Sequence, residues 1–475
     1  MSPAATTDYE AVIGLEIHVQ LATKSKMFCR CDNDAEGAAP NQHTCPVCLG
    51  LPGALPVPNR TAVEWSVKTA LALGCAVADE SKFDRKQYYY PDLPKGYQIS
   101  QYDQPLGGPG EFEFDVVGED GAVTPRSVRI TRLHLEEDAG KLTHPKGADY
   151  SLVDLNRAGT PLMEIVTEPD FRSPAEAKIF LQELRKLVRF LGVSDAEMDK
   201  GHLRADANIS LRPVGQSEYG TKTELKNLNS FKFVEKGLQA EIARQTEVLQ
   251  SGATVTQETR GFVEATGQTV SQRSKEEAND YRYFPDPDLP PLEPKQLGFE
   301  ALAAAVETLP VTKRRELVAA GLKYDDADQL TRTRQSLEYF EAAGASGHHS
   351  TVAKLIVGPL ASGVGLEAIP PAQLAEVAQA VAAAQISSAQ LKPFLERVAG
   401  GESPAALMND SAFAVADDSA IEAAVETAIA DNPGAVADFK GGNQNALNVL
   451  LGAVMKATKG SANPTTTRTL LQKKL

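Results

Sequence analysis

Val12-Ile-Gly-Leu-Glu-Ile-His-Val-Gln-Leu21 reads by twos: Ile13, Leu15, Ile17, Val19 and Leu21 fall on one face of an extended chain, Gly14, Glu16, His18 and Gln20 on the other. This is a half-buried strand whose open face carries an acid and an imidazole. The same parity sets Leu203, Ala205, Ala207, Ile209 and Leu211 against Arg204, Asp206, Asn208, Ser210 and Arg212 in a second strand. A third run, Thr221–Asn227, puts Lys222, Glu224 and Lys226 together. The turn-rich Pro213–Gly220 between the last two predicts antiparallel pairing. One helix is clearly punctuated, with Ser173 as N-cap, Pro174 at the first helical position, Glu176 completing a capping box and Gly192 past the end. Its apolar positions Ala177, Phe180, Leu181, Leu184, Leu187, Val188 and Leu191 should pack on the sheet. Antiparallel strands with segregated helices predict the α+β class.

Outward from these strands, the 475 residues suggest about three domains. The first, residues 1–295, holds the five cysteines and most tyrosines, and is the expected seat of the chemistry. Pro285-Asp-Pro-Asp-Leu-Pro-Pro-Leu-Glu-Pro294 cannot be a helix interior or a central strand and predicts a stiff boundary. Ala-, Glu- and Leu-rich helical text follows, giving an all-α region read as a helical domain over 296–405 and a tail over 406–475. From Phe439 onward the chain has Lys440, Lys456, Lys459, Arg468, Lys473 and Lys474 and no acid, either a solvated helical surface or a footprint for phosphates. The net charge of −15 argues against coating nucleic acid with the whole surface, so such contact should be local. MSPAATTDYEA lacks a basic start and a long apolar run, and no apolar stretch of about eighteen residues occurs. Neither a signal peptide nor a membrane span is expected, and the cysteine usage points to a reducing cytoplasm.

Acids gather on the polar strand faces. Glu16 and His18 leave the sheet side by side, and Leu133-His-Leu-Glu-Glu-Asp138 repeats the theme with His134, Glu136, Glu137 and Asp138. Glu164, Asp206 and Glu224 add carboxylates. The arrangement is either a solvated sheet face with cross-strand charge pairs or a hard-ligand site suited to Mg²⁺ or Mn²⁺. Interleaved lysines and arginines favour the second, because a metal plus cations is the apparatus that clamps a transferring phosphoryl group. There is no GxxxxGK[ST], so a nucleotide site would not be a P-loop. The stretch Phe83–Tyr102 holds five of the twelve tyrosines beside Arg85, Lys86 and Lys95, either a core loop or a surface that stacks bases. Cys29-Arg-Cys31 and Cys45-Pro-Val-Cys48 have the spacing of a closed structural zinc site, and Cys75 lies in apolar text.

Together, Val12-Ile-Gly-Leu-Glu-Ile-His18, Phe83-Asp-Arg-Lys86 with Tyr90-Pro-Asp92, His134-Leu-Glu-Glu-Asp-Ala-Gly140, Asp154-Leu-Asn-Arg157 with Gly159-Thr-Pro161, Asp206-Ala-Asn-Ile-Ser210, Glu224-Leu-Lys-Asn-Leu-Asn-Ser230 and Asp280-Tyr-Arg-Tyr-Phe-Pro285 resemble the B subunits of the aspartyl/glutamyl-tRNA amidotransferases. The likeness spans nearly the whole chain, and Met455–Pro464 resembles that family's YqeY-like tail. The resemblance implies a glutamine-synthetase-like cradle that uses ATP and Mg²⁺ to phosphorylate the side-chain carboxylate of Glu on tRNA(Gln) or Asp on tRNA(Asn). Ammonia from an amidase A subunit then displaces the phosphate, and a small C subunit completes the heterotrimer. Carried over position by position, Glu16, His18, Glu137, Asp206 and Glu164 are expected at Mg²⁺. Glu137, Glu136, Lys86, Lys95, Glu224 and Lys226 are expected in catalysis, and Lys222, Arg204 and Asn208 at ATP. The quartet Cys29, Cys31, Cys45 and Cys48 departs from many members, so zinc here would be a subgroup's structural device. The chain shows no serine-rich amidase centre and should not release ammonia from glutamine itself. Two other readings stay open: a non-catalytic tRNA-binding scaffold, and a metal-dependent ester hydrolase that needs no ATP.

Overall fold

The computed structural model describes residues 8–118, 120–274, 280–413, 416, 418–458 and 460–475. The chain forms two compact units, Met1–Thr312 and Lys313–Leu475. The strands and first helices are β1 (Tyr9–Gln20), α1 (Arg60–Ala72), β2 (Asp84–Gln87), β3 (Tyr97–Ser100), β4 (Gly110–Val117), β5 (Val123–Glu137), β6 (Lys141–Thr143), β7 (Leu152–Asp154), β8 (Pro161–Thr167), α2 (Pro174–Phe190), β9 (Leu203–Pro213), β10 (Thr223–Lys226), α3 (Phe231–Gln250), β11 (Glu258–Val263), β12 (Gln268–Ser274) and β13 (Phe284–Pro285).

Eight strands make the main sheet in the order β12-β11-β10-β9-β1-β8-β5-β4, with β1 in the interior. β10 and β11 run parallel, and the other neighbouring pairs are antiparallel, including the expected pairing of β9 with β10. Ile13, Leu15, Ile17 and Val19 are 0–1% exposed, as the parity of β1 demands. They join Val67 of α1, Leu184 of α2 and Leu238 of α3 in one core, so the helices cover this face and leave the other for chemistry.

α2 follows its punctuation. The Ser173 hydroxyl accepts from Glu176 N at 3.2 Å, and Gly192 takes φ +70° beyond the end. The capping box is displaced, since the Glu176 carboxylate accepts from Arg172 N rather than from the N-cap residue's own N–H. Phe180, fully buried, meets Phe112, Phe114 and Phe171 at 5.1–6.0 Å between ring centres. Ser173→Ala should cost about 1 kcal/mol in denaturant unfolding, the worth of one capped N–H. A change under a few tenths would show that the cap carries nothing.

β5 contains a bulge. Ile130 pairs with Thr167 and Arg132 with Val166, so Thr131 is an extra residue. The buried parity accordingly switches from Val128 and Ile130 to Leu133 and Leu135. Beyond the bulge His134 and Glu136 point to the open face.

The proline-rich segment expected as a boundary is packed onto the first unit. β13 pairs with β2, which pairs with β3 in a small second sheet. Asp286 accepts from Arg85 Nε at 2.8 Å, Leu289 is buried in the main core, and the first unit runs on to Thr312.

The second unit is helical and has two apolar cores. The first gathers Phe340, Leu374 and Phe394 and includes Leu407 and Phe413. The second gathers Ile421, Val425, Leu450, Val454 and Leu471. The second core is built by helices Asp418–Asp431, Ala446–Ala457 and Pro464–Lys474. Lys440, Lys456, Arg468 and Lys473 are exposed on the tail, whereas Lys474 pairs with Glu422 and Glu426, and Lys459 lies outside the described residues.

Candidate active site and cysteine cluster

The open face of the main sheet floors a cleft of about 920 Å³. Register decides its composition. His18 on β1 stands opposite Glu164 on β8, which stands opposite His134 on β5. Across β1, Glu16 faces Asp206 and His18 faces Arg204 on β9. Five side chains meet at the centre. His18 Nε2 lies 3.4 Å from Glu164 Oε2 and 3.5 Å from Glu136 Oε1, and His134 Nε2 lies 3.2 Å from Glu164 Oε2. Ligand atoms of Glu16, His18 and Glu164, and those of His134, Glu136 and Glu164, fall within 4.8 Å of one another.

The electrostatics are those of a preassembled acid–imidazole cluster. Burial works against a protonated His134, yet Glu164 and Glu136 outweigh it and push the imidazole up to about 9. His18 is raised on the same balance. Burial and the neighbouring Glu164 raise Glu16, while the imidazoles hold Glu164 well below the usual carboxylate range against the cost of burial. Both imidazoles are thus pushed towards their cationic form beside Glu164. A divalent cation bound by the carboxylates would take over that charge.

Cations ring the cluster. Lys226 pairs with Asp206 at 2.5 Å and Glu224 at 3.3 Å, Arg132 approaches Glu164 at 3.7 Å, and Arg204 reaches Asp138 at 3.1 Å. Lys86 and Lys222 also line the cleft. Of the residues expected from sequence, the fold therefore brings Glu16, His18, Glu136, Glu164, Asp206, Glu224, Lys86, Arg204, Lys222 and Lys226 together.

Glu137 and Lys95 lie elsewhere. One residue past Glu136, Glu137 leaves the opposite side of β5, where its carboxylate pairs with Lys95 and accepts from Ile99 N at 2.9 Å. It is outside the metal-type cluster, and neither residue lines the cleft. Asn208, opposite Gly14 and Glu224, also stands off the lining. His134, absent from the metal ligands expected from sequence, is at the centre. Strand parity could have found it, because His134 shares a face with Glu136 and Glu137 does not.

The four cysteines meet between β1 and α1. Cys48 Sγ lies 3.3 Å from Cys29, 3.7 Å from Cys31 and 3.7 Å from Cys45. Zinc–sulphur bonds of about 2.3 Å imply tetrahedral edges of about 3.8 Å, so the quartet could hold zinc. Lys26, 0% exposed, donates to His43 O at 2.7 Å and Leu155 O at 3.2 Å and sits 3.6 Å from Cys48 Sγ. The Cys29 hydrogen bond and this ammonium bring the Cys48 thiol down to about 4 against the effect of burial. Burial pushes Cys75 up to about 12, as befits an inert core thiol.

A sheet whose open face clusters buried carboxylates and imidazoles inside a ring of cations offers donors that could hold a hard metal ion beside phosphate groups. Comparison with known proteins makes this specific. The model of the family described as the GatB/GatE catalytic domain matches residues 11–299, and that of the GatB domain matches residues 338–475. Proteins described as the B subunit of an aspartyl/glutamyl-tRNA(Asn/Gln) amidotransferase are similar over nearly their whole length. That of Carboxydothermus hydrogenoformans is 46% identical, covering 98% of this chain and 99% of the relative. That of Brevibacillus brevis is 46% identical with the same coverage, and that of Syntrophotalea carbinolica 47% identical over 99% of both chains. The chain belongs to the GatB family of amidotransferase B subunits. Among the described residues no helix is long and apolar enough to cross a membrane.

Proposed function

We propose that this chain works in the cytoplasm, with an amidase A subunit and a small C subunit, to convert Glu on tRNA(Gln), Asp on tRNA(Asn), or both, to the amide. Its own part is activation of the side-chain carboxylate at the cleft. One carboxylate oxygen attacks the γ-phosphorus of ATP, ADP leaves, and ammonia then attacks the acyl carbon and expels phosphate. The activation is required because oxide is a hopeless leaving group and phosphate a good one.

The observation that carries this reading is Glu164 held between two imidazoles, in a cluster of carboxylates with lysines and arginines around it. Two donor sets share Glu164, one with Glu16 and His18 and one with Glu136 and His134; each is mainly of hard oxygens and suits Mg²⁺, which when bound would neutralise phosphate charge. Lys86, Arg132, Arg204, Lys222 and Lys226 are placed to pair with phosphate oxygens. Asp206 and Glu224 orient Lys226. Glu137 acts from behind the site, by fixing Lys95 and the backbone at Ile99. The likeness of this cradle to glutamine synthetase belongs to the same reading, as does zinc in the cysteine quartet.

The deciding experiment measures ADP release by the three-subunit complex given Mg-ATP, with and without mischarged tRNA. ADP that appears only with Glu-tRNA(Gln) or Asp-tRNA(Asn) supports carboxylate activation and identifies the substrate. ADP that is absent or indifferent to tRNA favours a scaffold, and ester hydrolysis without ATP favours a hydrolase.

We assign tRNA binding to the tail. Leu407 and Phe413 belong to the preceding core, so the clean truncation is after Phe413 rather than at 405. It should weaken tRNA binding about tenfold or more and flatten its salt dependence, leaving the KM for ATP unchanged. Unchanged tRNA affinity would remove the tail from recognition.

A further inference from the structure

Lys26 is the only buried lysine among the described residues. It lies beyond the end of β1, beside the cysteine quartet, and its ammonium has three neighbours that can accept: His43 O at 2.7 Å, Leu155 O at 3.2 Å and Cys48 Sγ at 3.6 Å. The two carbonyls satisfy hydrogen bonds but supply no charge. No carboxylate pairs with this ammonium among the described residues, since Glu137, across Gly159 from the Lys26 stem, is held by Lys95. A cation taken wholly out of water needs a counter-charge, and the sulphur side is where one can arise. Nor does the surrounding loop depend on Lys26 for its shape. Asn41 N donates to Asp154 Oδ1 at 3.0 Å, Leu155 N to Asn41 Oδ1 at 2.8 Å and His43 N to Asn156 Oδ1 at 2.8 Å, so residues 41–43 are already fastened to residues 154–156.

Four thiolates around a divalent metal leave two negative charges in excess, in a place largely shielded from water. We propose that Lys26 is a built-in counter-cation for such a tetrathiolate, donating from its ammonium to Cys48 Sγ and cancelling half of that excess. Lys26 does not touch the metal. It acts through Cys48, as a positioning residue outside the ligand shell, and its other two hydrogen bonds fix that sulphur relative to His43 and Leu155. This rests on the reading of the quartet as a zinc site and adds a fifth residue to it. It also accounts for a lysine at a position where an apolar side chain of similar length would meet the packing requirement alone.

The test uses the full three-subunit complex with Lys26→Met, which keeps the length of the side chain without its charge, and Lys26→Gln, which keeps an N–H donor without the charge. Zinc affinity is read by competition with a chromophoric chelator, and the quartet is separately loaded with Co²⁺ to record its sulphur-to-metal charge-transfer band. Both variants should hold zinc about 10- to 100-fold more weakly, the usual worth of an outer-shell partner. Their Co²⁺ band should move to lower energy, because a sulphur relieved of a hydrogen bond gives up its electrons more easily. Melting separates charge balance from packing: stripped of zinc, the methionine variant should melt no lower than the stripped parent, and loaded with zinc it should melt below the loaded parent. Zinc affinity within about twofold of the parent in either variant, or an equal fall in melting temperature with and without zinc, overturns the counter-cation and leaves Lys26 a packing strut. If the parent itself takes up neither zinc nor Co²⁺, the zinc reading fails and the counter-cation with it. A parent that loads the metal beside variants that load it as tightly sinks the counter-cation alone.

Discussion

Glu164→Gln in the assembled complex should reduce tRNA-dependent ADP formation by about a thousandfold and leave tRNA affinity within about twofold. The size follows from position. Glu164 is on β8, flanked by β1 and β5, and its Oε2 is the atom nearest both His18 and His134. An amide of the same shape keeps the packing but loses the charge that holds both imidazoles and would share a divalent cation. Loss of one such electrostatic element in a water-poor site costs about 10²–10³ in rate, and here two elements go together. Exposed tail lysines are untouched, so binding should survive. ADP formation within tenfold of the parent would show that the cluster is ordinary sheet polarity. Joint loss of activity and tRNA affinity would instead mean that Glu164 shapes the tRNA surface.

Removal of metal from the cysteine quartet should destabilise the first unit by about 3 kcal/mol or more, visible as a lower unfolding midpoint. Cys48→Ser should do the same. The quartet brings residues 29–31 and 45–48 together, and the chain leading into it is tied to the rest of the unit. Met27 N donates to Gly159 O at 2.7 Å, and Asn59, whose side chain caps α1 by accepting from Ala62 N, donates to Ser25 O at 2.9 Å. Lys26 sharpens the effect, because Cys48→Ser leaves a fully buried ammonium without its sulphur partner. Elemental analysis should find one zinc per chain in the parent and less in the variant. A zinc-free parent that melts unchanged after chelation would reduce the quartet to four thiols.

The parts of this molecule written in local pattern were legible in its sequence. The alternation of β1 and β9 named the faces, Ser173 and Gly192 bracketed α2, and the cysteine spacing announced the cluster. What escaped depends on pairings that spacing cannot express. Glu136 and Glu137 look equivalent in the string, but their faces are set by register against β8. Prolines 285–294 read as a boundary because proline disfavours interior structure, yet Phe284–Pro285 needs only an edge position beside β2. Lys95 groups by charge with the lysines expected in the cleft, and only its three-dimensional partner, Glu137, places it off the cleft lining.

The extra residue at Thr131 works as the reading frame of β5. Deleting it would not loosen the cleft by degrees. It would exchange His134 and Glu136 for Leu133, Leu135 and Glu137, presenting grease and a lone acid to the substrate while thrusting an imidazole and a carboxylate among the helices. Chains of this architecture that gain or lose residues in β5 must therefore do so in compensating pairs across this point, or give up the reaction in a single step.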